Sequence, residues 1–289
     1  MSEKNVAKGK QSKTKGTTMR FEEFAKSHGL IMRDVIPFKW VSTPTTDHPR
    51  SGNGRYKFMG DVGWVQNWAT MEKPVMWKSG EKNAISPQFQ KAKDEAFRQR
   101  EELASKAAAK AGWIMHQTHL MPHPYLEKKG FPDEKMAVWD SAEGENRLVI
   151  PMRRDGKIVG CQLINNEGEK KFLYGQTTKG ASFCIDAKGS PIFCEGLATG
   201  LSIQAVMRAN KIRYSIYVCF SAGNMKEVAS RIHNGIIVAD NDPSGVGEGI
   251  AKATGKPYWI SETIGDDFND YHQRVGLFVA SQSLKRLFY

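Results

Sequence analysis

The stretch that decides the fold runs from Ile192 to Asp270 and delivers acidic residues to the ends of successive apolar runs. PIFCEG (191–196) ends in Glu195, GIIVADNDPSG (235–245) in Asp240 and Asp242, and ISETIGDDFND (260–270) in Asp266, Asp267 and Asp270. Short continuous apolar runs bounded by turn residues read as buried strands of a parallel sheet. The carboxyl ends of such strands share one edge, and ligands bind in the crevice outside it. Carboxylates gathered there repel one another unless a divalent cation lies between them, and Mg²⁺ takes oxygen ligands while keeping waters and substrate phosphates. The pattern therefore points to metal-dependent phosphoryl chemistry. The plain alternative is that these acids are solvated strand ends or helix N-caps, and Asp242 suits both roles.

Four segments in this order, EGLATGLS (195–202), VCFSAGN (218–224), ADNDPSGVGEGIA (239–251) and GDDFND (265–270), are more specific than any Asp-x-Asp alone. Together they resemble the Toprim domain, the metal-binding catalytic fold of bacterial-type primases, topoisomerases and some nucleases. The resemblance implies a mostly parallel α/β sheet flanked by helices over 191–289. It also implies Mg²⁺ or Mn²⁺ held by Glu195, Asp240, Asp242 and Asp267, with Glu195, Asp240 and Asp242 as the catalytic acids. Whether Glu195 is a ligand or the base stays open. Gly245, Gly247 and Gly249 are not a dinucleotide fingerprint, since the third glycine comes one residue early. Close packing of a helix on the sheet is their expected use.

The chain has 289 residues, room for one sizeable core and a smaller module, and a net charge of +11 that suits a polyanionic partner. Residues 1–18 are lysine-rich and nearly devoid of apolar side chains, and read as a disordered basic tail. Cys161, Cys184, Cys194 and Cys219 show no Cys-x-x-Cys spacing, so neither a zinc site nor a disulfide framework is expected. With no signal peptide and no run of 18 apolar residues, the chain reads as soluble and cytoplasmic, without a membrane partner.

Residues 19–85 read as a small β-rich module. Phe21, Phe24 and Ala25 make a short helix ended by Gly29, and 39–79 holds Trp40, Trp64, Trp68 and Trp77 among turns at His48–Gly54, Gly60–Asp61 and Lys73–Pro74. Arg50, Arg55, Lys57, Trp64 and Trp68 are the candidate face for stacking on single-stranded DNA, although any one tryptophan could equally be core. Primases similar to this chain open with a zinc ribbon; this stretch has no cysteine and reads as a ribbon-like module without metal. Over 86–122, Ser86 as N-cap and Pro87 open a long helix with Phe89, Ala92, Ala96, Leu103, Ala107, Ala111 and Ile114 at three- or four-residue spacing.

Residues 123–190 open on a short helix in HPYLEKKGF (123–131) and continue as strands with turns at Arg154–Gly156 and Asn166–Gly168. They resemble the basic α+β subdomain that precedes Toprim in primases. That resemblance makes Arg147, Arg153, Lys171 (in KKFLYG) and Lys179 (in TTKG) the nucleotide- and template-binding cations. Arg154, Lys157 and Lys170 read as ordinary surface. The function so implied is that of a DNA primase, making RNA primers on single-stranded DNA from ribonucleoside triphosphates. No GxxxxGK[ST] loop is present, so a separate replicative helicase is the implied partner. The alternatives are a Toprim-type nuclease, which needs no such basic subdomain, and a non-catalytic DNA-binding regulator on the same scaffold. Topoisomerase is disfavoured, since no room remains for a strand gate.

Overall fold

The computed structural model describes residues 19–80, 87–141, 144–186 and 188–288. The basic tail and the N-cap expected at Ser86 lie outside the described residues. The chain divides into two compact units, one ending at Gln99 and the other beginning at Arg100.

In the first unit, α1 (Phe21–Ser27) precedes an antiparallel meander of β1 (Trp40–Thr43), β2 (Gly54–Phe58), β3 (Val62–Asn67) and β4 (Val75–Lys78), in spatial order 1-2-3-4. Period-2 alternation gives the sheet two unlike faces. Tyr56, Val65 and Trp77 pack with Phe21, Ala25 and Leu30 into the small core. Helix α1 lies directly on β3, because a β-carbon at Gly63 would meet the Phe21 ring at 2.2 Å. Phe89, in the first turn of α2 (Pro87–His116), packs against Phe38 with ring centroids 4.7 Å apart and the planes inclined at 51°.

The second unit contains two sheets. The first is antiparallel: β5 (His119–Met121), β6 (Met136–Asp140), β7 (Asn146–Arg154), β8 (Lys157–Ile164) and β9 (Lys170–Phe172) in order 5-6-7-8-9, with α3 (Pro124–Lys128) between β5 and β6. Asp155 and Gly156, both with positive φ (51° and 77°), make the two-residue turn that joins β7 to β8. The two faces of this sheet have different partners. Val149, Cys161 and Leu163 pack on Ala111 and Ile114 of α2, while Leu148, Ile150 and Ile164 pack on Leu197, Ala198 and Leu201.

The second sheet runs β10 (Phe183–Asp186), β11 (Ser190–Cys194), β12 (Tyr214–Val218), β13 (Ile236–Ala239) and β14 (Tyr258–Ile260), in order 10-12-11-13-14. β11 through β14 pair in parallel, and β10 closes one edge antiparallel to β12. The strand Phe183–Asp186, contiguous in sequence with the basic subdomain, thus belongs to this sheet. Helices α4 (Leu197–Ala209) and α7 (Phe268–Lys285) pack on each other, as do α5 (Ala222–Ala229) and α6 (Val246–Thr254). Alternation explains the layering: Ile192, Cys194 and Val238 share a core with α4 and α7 side chains, while Phe193, Ile237 and Ala239 share one with α5 and α6 side chains. The fold is therefore α/β, with a mostly parallel sheet preceded by antiparallel sheets. Among the described residues no helix is long and apolar enough to cross a membrane. Cys161, Cys194 and Cys219 are buried and Cys184 is exposed.

Candidate active site

Chain order and strand order disagree at one place in the parallel sheet. From β11 the chain moves to β12 on one side, then returns to place β13 on the other, so the crevice at the carboxyl ends of β11 and β13 is a topological switch point. Phe193 pairs with Ile237, which puts Glu195 level with Ala239 and Asp240 one residue further out. Glu195 and Asp240 thus leave adjacent strands at that crevice.

Each acid is held differently. Glu195 is half-buried; burial pushes its carboxyl up, an effect offset in part by the backbone N–H of Ala222 at the start of α5 and reinforced by Asp242. Asp240 is pushed up to about 7, first by burial, then by the charges of Glu195 and Asp267, with Lys170 acting in the opposite sense. Its Oδ1 is buried and finds no hydrogen-bond partner. Asp242 is lowered because it accepts from the hydroxyl and the backbone N–H of Ser244. Asp267 is the N-cap of α7, accepting from the N–H groups of Asn269 and Asp270, while Asp270 returns the bond to the Asp267 N–H. The N-cap role open to all these acids is thus the one Asp267 performs. Asp266 pairs with Arg274 and accepts from Ser261.

Among the described residues, no three His, Cys, Asp or Glu side chains are drawn into a closed metal-ligand set. Glu195, Asp242 and Asp267 instead act on Asp240 through their charges, which add to burial in raising it, and one Asp240 oxygen is buried without a hydrogen-bond partner. An oxygen-rich, mutually repelling set with an unpartnered buried oxygen fits a hard divalent cation by its donor chemistry.

The sheet 119–172 borders the same region. Arg147 is ion-paired with Glu145 at 2.7 Å, and Arg153 donates to the carbonyl of Gly156. Lys179 contacts Glu227 at 3.6 Å. Its loop is fastened by Asn224, whose Oδ1 accepts from Gly180 N–H while its Nδ2 donates to the carbonyls of Ala181 and Cys219. Asn224 closes the SAGN segment, part of the VCFSAGN stretch that carries the Toprim resemblance and reads as a turn into a helix, and it lies in the first turn of α5. Lys170 and Lys171 fall on opposite faces of β9. Lys170 pairs with Ile164, on the face toward α4, and Lys171 with Leu163, on the face toward α2. Lys170, taken from sequence as ordinary surface, is thus the one whose charge reaches Asp240.

In the first unit, Lys57 stands between Trp40 and Trp64 across the sheet, on the face away from Tyr56, Val65 and Trp77. Arg55 lies two residues along on that face, held by Gln66 and stacked over Trp40 at 4.6 Å and Trp68 at 5.8 Å. Arg50 is in an exposed turn. Trp40, absent from the candidates read from sequence, belongs with Arg55, Lys57, Trp64 and Trp68.

Residues 190–277 match the family model of the Toprim domain. Among solved structures, the chain is similar to a chain in a bacteriophage T7 complex, in which the lagging-strand DNA polymerase interacts with primase domains of two gp4 subunits bound to an RNA/DNA hybrid and dTTP. There the identity is 14%, the match covers 60% of this chain and 92% of that one, and the TM-score is 0.42. It is also similar to the primase fragment of the bacteriophage T7 primase-helicase protein, with 14% identity, 57% and 69% coverage and a TM-score of 0.39. With its acids set at the switch point of a mostly parallel sheet, this chain carries a Toprim domain over residues 190–277.

Proposed function

We propose that this protein is a DNA primase, joining ribonucleotides on a single-stranded DNA template. The observation that carries this reading is the juxtaposition within one unit of the acidic switch-point edge, Glu195 and Asp240, and an antiparallel sheet bearing Lys170 on the face packed toward it. A nuclease needs the acids alone. A polymerase also needs cations to hold a triphosphate beside them.

In the reaction, a 3′-hydroxyl attacks the α-phosphorus of the incoming ribonucleotide, the bond to pyrophosphate breaks, and the hydroxyl proton leaves. Asp240, Asp242 and Asp267 would hold Mg²⁺ or Mn²⁺, which when bound neutralises phosphate charge and aligns the reacting oxygens. Glu195, whose burial raises its proton affinity, is placed either to complete that site or to accept the hydroxyl proton. Single-stranded DNA would lie on the Trp40–Arg55–Trp68 face of the first unit, where exposed rings stack bases and the guanidinium meets phosphate. A separate replicative helicase is the partner this reading implies.

The test supplies purified protein with single-stranded DNA, labelled ribonucleoside triphosphates and Mg²⁺ or Mn²⁺. Short template-dependent RNA is the expected product. Cleavage of the DNA without RNA synthesis would replace this reading with a metal-dependent nuclease, and binding with neither activity would replace it with a regulator.

A further inference from the structure

Asn241 stands between Asp240 and Asp242 just past β13, and three of its hydrogen bonds go to one loop, Ser261 to Asp266, which carries the chain from β14 to α7. Its N–H donates to the carbonyl of Asp266 at 3.0 Å, and its carbonyl accepts from the N–H of Gly265 at 2.6 Å. Its side-chain Nδ2 donates to the carbonyl of Ser261 at 2.9 Å. The pairing of β13 with β14 ends at Ala239 opposite Ile260, so these bonds prolong the hold of one segment on the other past the end of the sheet. The N–H of Asn241 belongs to the peptide that joins it to Asp240, and the carbonyl of Asp266 to the peptide that joins it to Asp267. One hydrogen bond therefore fixes the backbones of Asp240 and Asp267 to each other, and the charge of Asp267 reaches Asp240. The loop is also braced: Ser261 Oγ accepts from the N–H of Thr263 and donates to the Asp266 carboxylate, and Arg274 holds both Asp266 and Thr263. A loop so braced moves as one piece, and what happens at the Ser261 carbonyl is felt at Asp267.

Carboxylates held close repel one another once ionised. A loop free to swing would carry Asp267 away from Asp240, and a cation would have to draw it back at the expense of affinity. We propose that Asn241 is a positioning residue for the acidic site: the hydrogen bond from its amide to the Ser261 carbonyl holds the loop, and Asp267 with it, against the end of β13, and so sets the affinity of these acids for a divalent cation. The two backbone bonds ask for no particular side chain at 241. Only Nδ2 makes the residue type matter, since a shorter or apolar side chain would deprive the carbonyl of Ser261, a buried residue, of this donor. Asn241 thus acts through Asp267, not on the reacting groups themselves.

This inference rests on the metal-dependent nucleotidyl-transfer reading, and its test separates the two. Mn²⁺ alone is titrated into the full chain and free Mn²⁺ is followed by electron paramagnetic resonance, with melting curves in chelator for each variant and primer synthesis measured in parallel. Asn241→Ala is expected to raise the Kd for Mn²⁺ about tenfold, the size of loss found for groups that orient a metal ligand, and to regain most of its synthesis in excess Mn²⁺. Ile264→Ala, at the tip of the same loop and 71% exposed, is expected to change the Kd by less than about twofold, as a surface substitution does. Asp267→Asn keeps the N-cap of α7 while removing the charge. In that background Asn241→Ala is expected to change the Kd by less than about twofold, because no carboxylate remains at 267 to be placed. Wild-type Mn²⁺ affinity in Asn241→Ala would overturn the role, as would an equal loss with and without the Asp267 carboxylate, the result that a merely structural asparagine gives. A wild-type protein that binds no Mn²⁺ would overturn it too. A wild-type protein that binds Mn²⁺ and shows the expected pattern yet makes no RNA would overturn the primase reading and leave the role of Asn241 standing.

Discussion

Glu195 and Asp240 leave neighbouring parallel strands one residue out of step, at the point where the sheet's winding reverses. Both have raised proton affinity, and for both the first cause is burial. Two carboxyls in that position destabilise the site once ionised, so an arrangement suited to a cation opposes the empty fold.

This predicts a pH signature. The pKa of Asp240 is raised from 3.8 to about 7 in the folded chain, so its protonated form favours folding. The stabilisation is present below about pH 4 and lost progressively as the pH rises through about 7. In chelator, wild type should lose thermal stability over that range relative to Asp240→Asn, which cannot ionise. Mg²⁺ should recover the loss at pH 8. Synthesis by Asp240→Asn should fall by about a hundredfold or more. Parallel melting curves for the two proteins across the range, or full activity in the variant, would contradict the assignment.

How much of this was legible in the sequence depends on burial. The strands of a parallel sheet are apolar throughout, so a carboxylate can appear only where the strand leaves the core; Glu195 and Asp240 stand out for that reason. The strand Lys170–Phe172 is exposed along its length, and KKF offers no alternation to tell one lysine from the other. Only the pairing of Ile164 with Lys170 assigns the faces, and pairing register is a long-range property. Trp40 was hidden likewise, since its place beside Lys57 comes from the alignment of β1 with β2. The staple made by Asn224 spans 44 residues to Gly180, beyond the reach of any local motif. The edge position of Phe183–Asp186 in the parallel sheet was equally illegible, because the alternation continuing from the preceding strands does not say which sheet a strand joins.

Of the three glycines in GVGEG, only Gly247 packs closely. A β-carbon there would stand 2.3 Å from the carbonyl oxygen of Asp240, whereas Gly249 faces open space and Gly245 supplies φ 65° before α6. Gly247→Ala should therefore push the Asp240 backbone away from the site, costing about 1–3 kcal/mol of stability as overpacking does. Activity should fall with it, by tenfold or more. Gly249→Ala should leave both nearly unchanged. Denaturant melts and primer synthesis on the pair check this, and equal behaviour of the two variants would refute it.

The last prediction concerns the outer face of the first unit. Trp40 and Trp68 are 42% and 48% exposed, and Arg55 bridges them while Gln66 fixes its guanidinium. Rings left in water beside a fixed cation do not contribute to the core, which Phe21, Tyr56, Val65 and Trp77 already fill. Removing one should leave stability almost intact. If the face binds single strands, Trp40→Ala or Trp68→Ala should cost about 1–3 kcal/mol of affinity, the worth of one base–ring stack. Arg55→Ala should reduce both the affinity and its dependence on salt, because a phosphate contact releases counterions whereas a stacked ring does not. Titrating labelled oligonucleotide at several salt concentrations separates the two effects. An unchanged salt slope in Arg55→Ala would assign the guanidinium to orienting the tryptophans, and unchanged affinity in all three variants would remove this face from DNA binding.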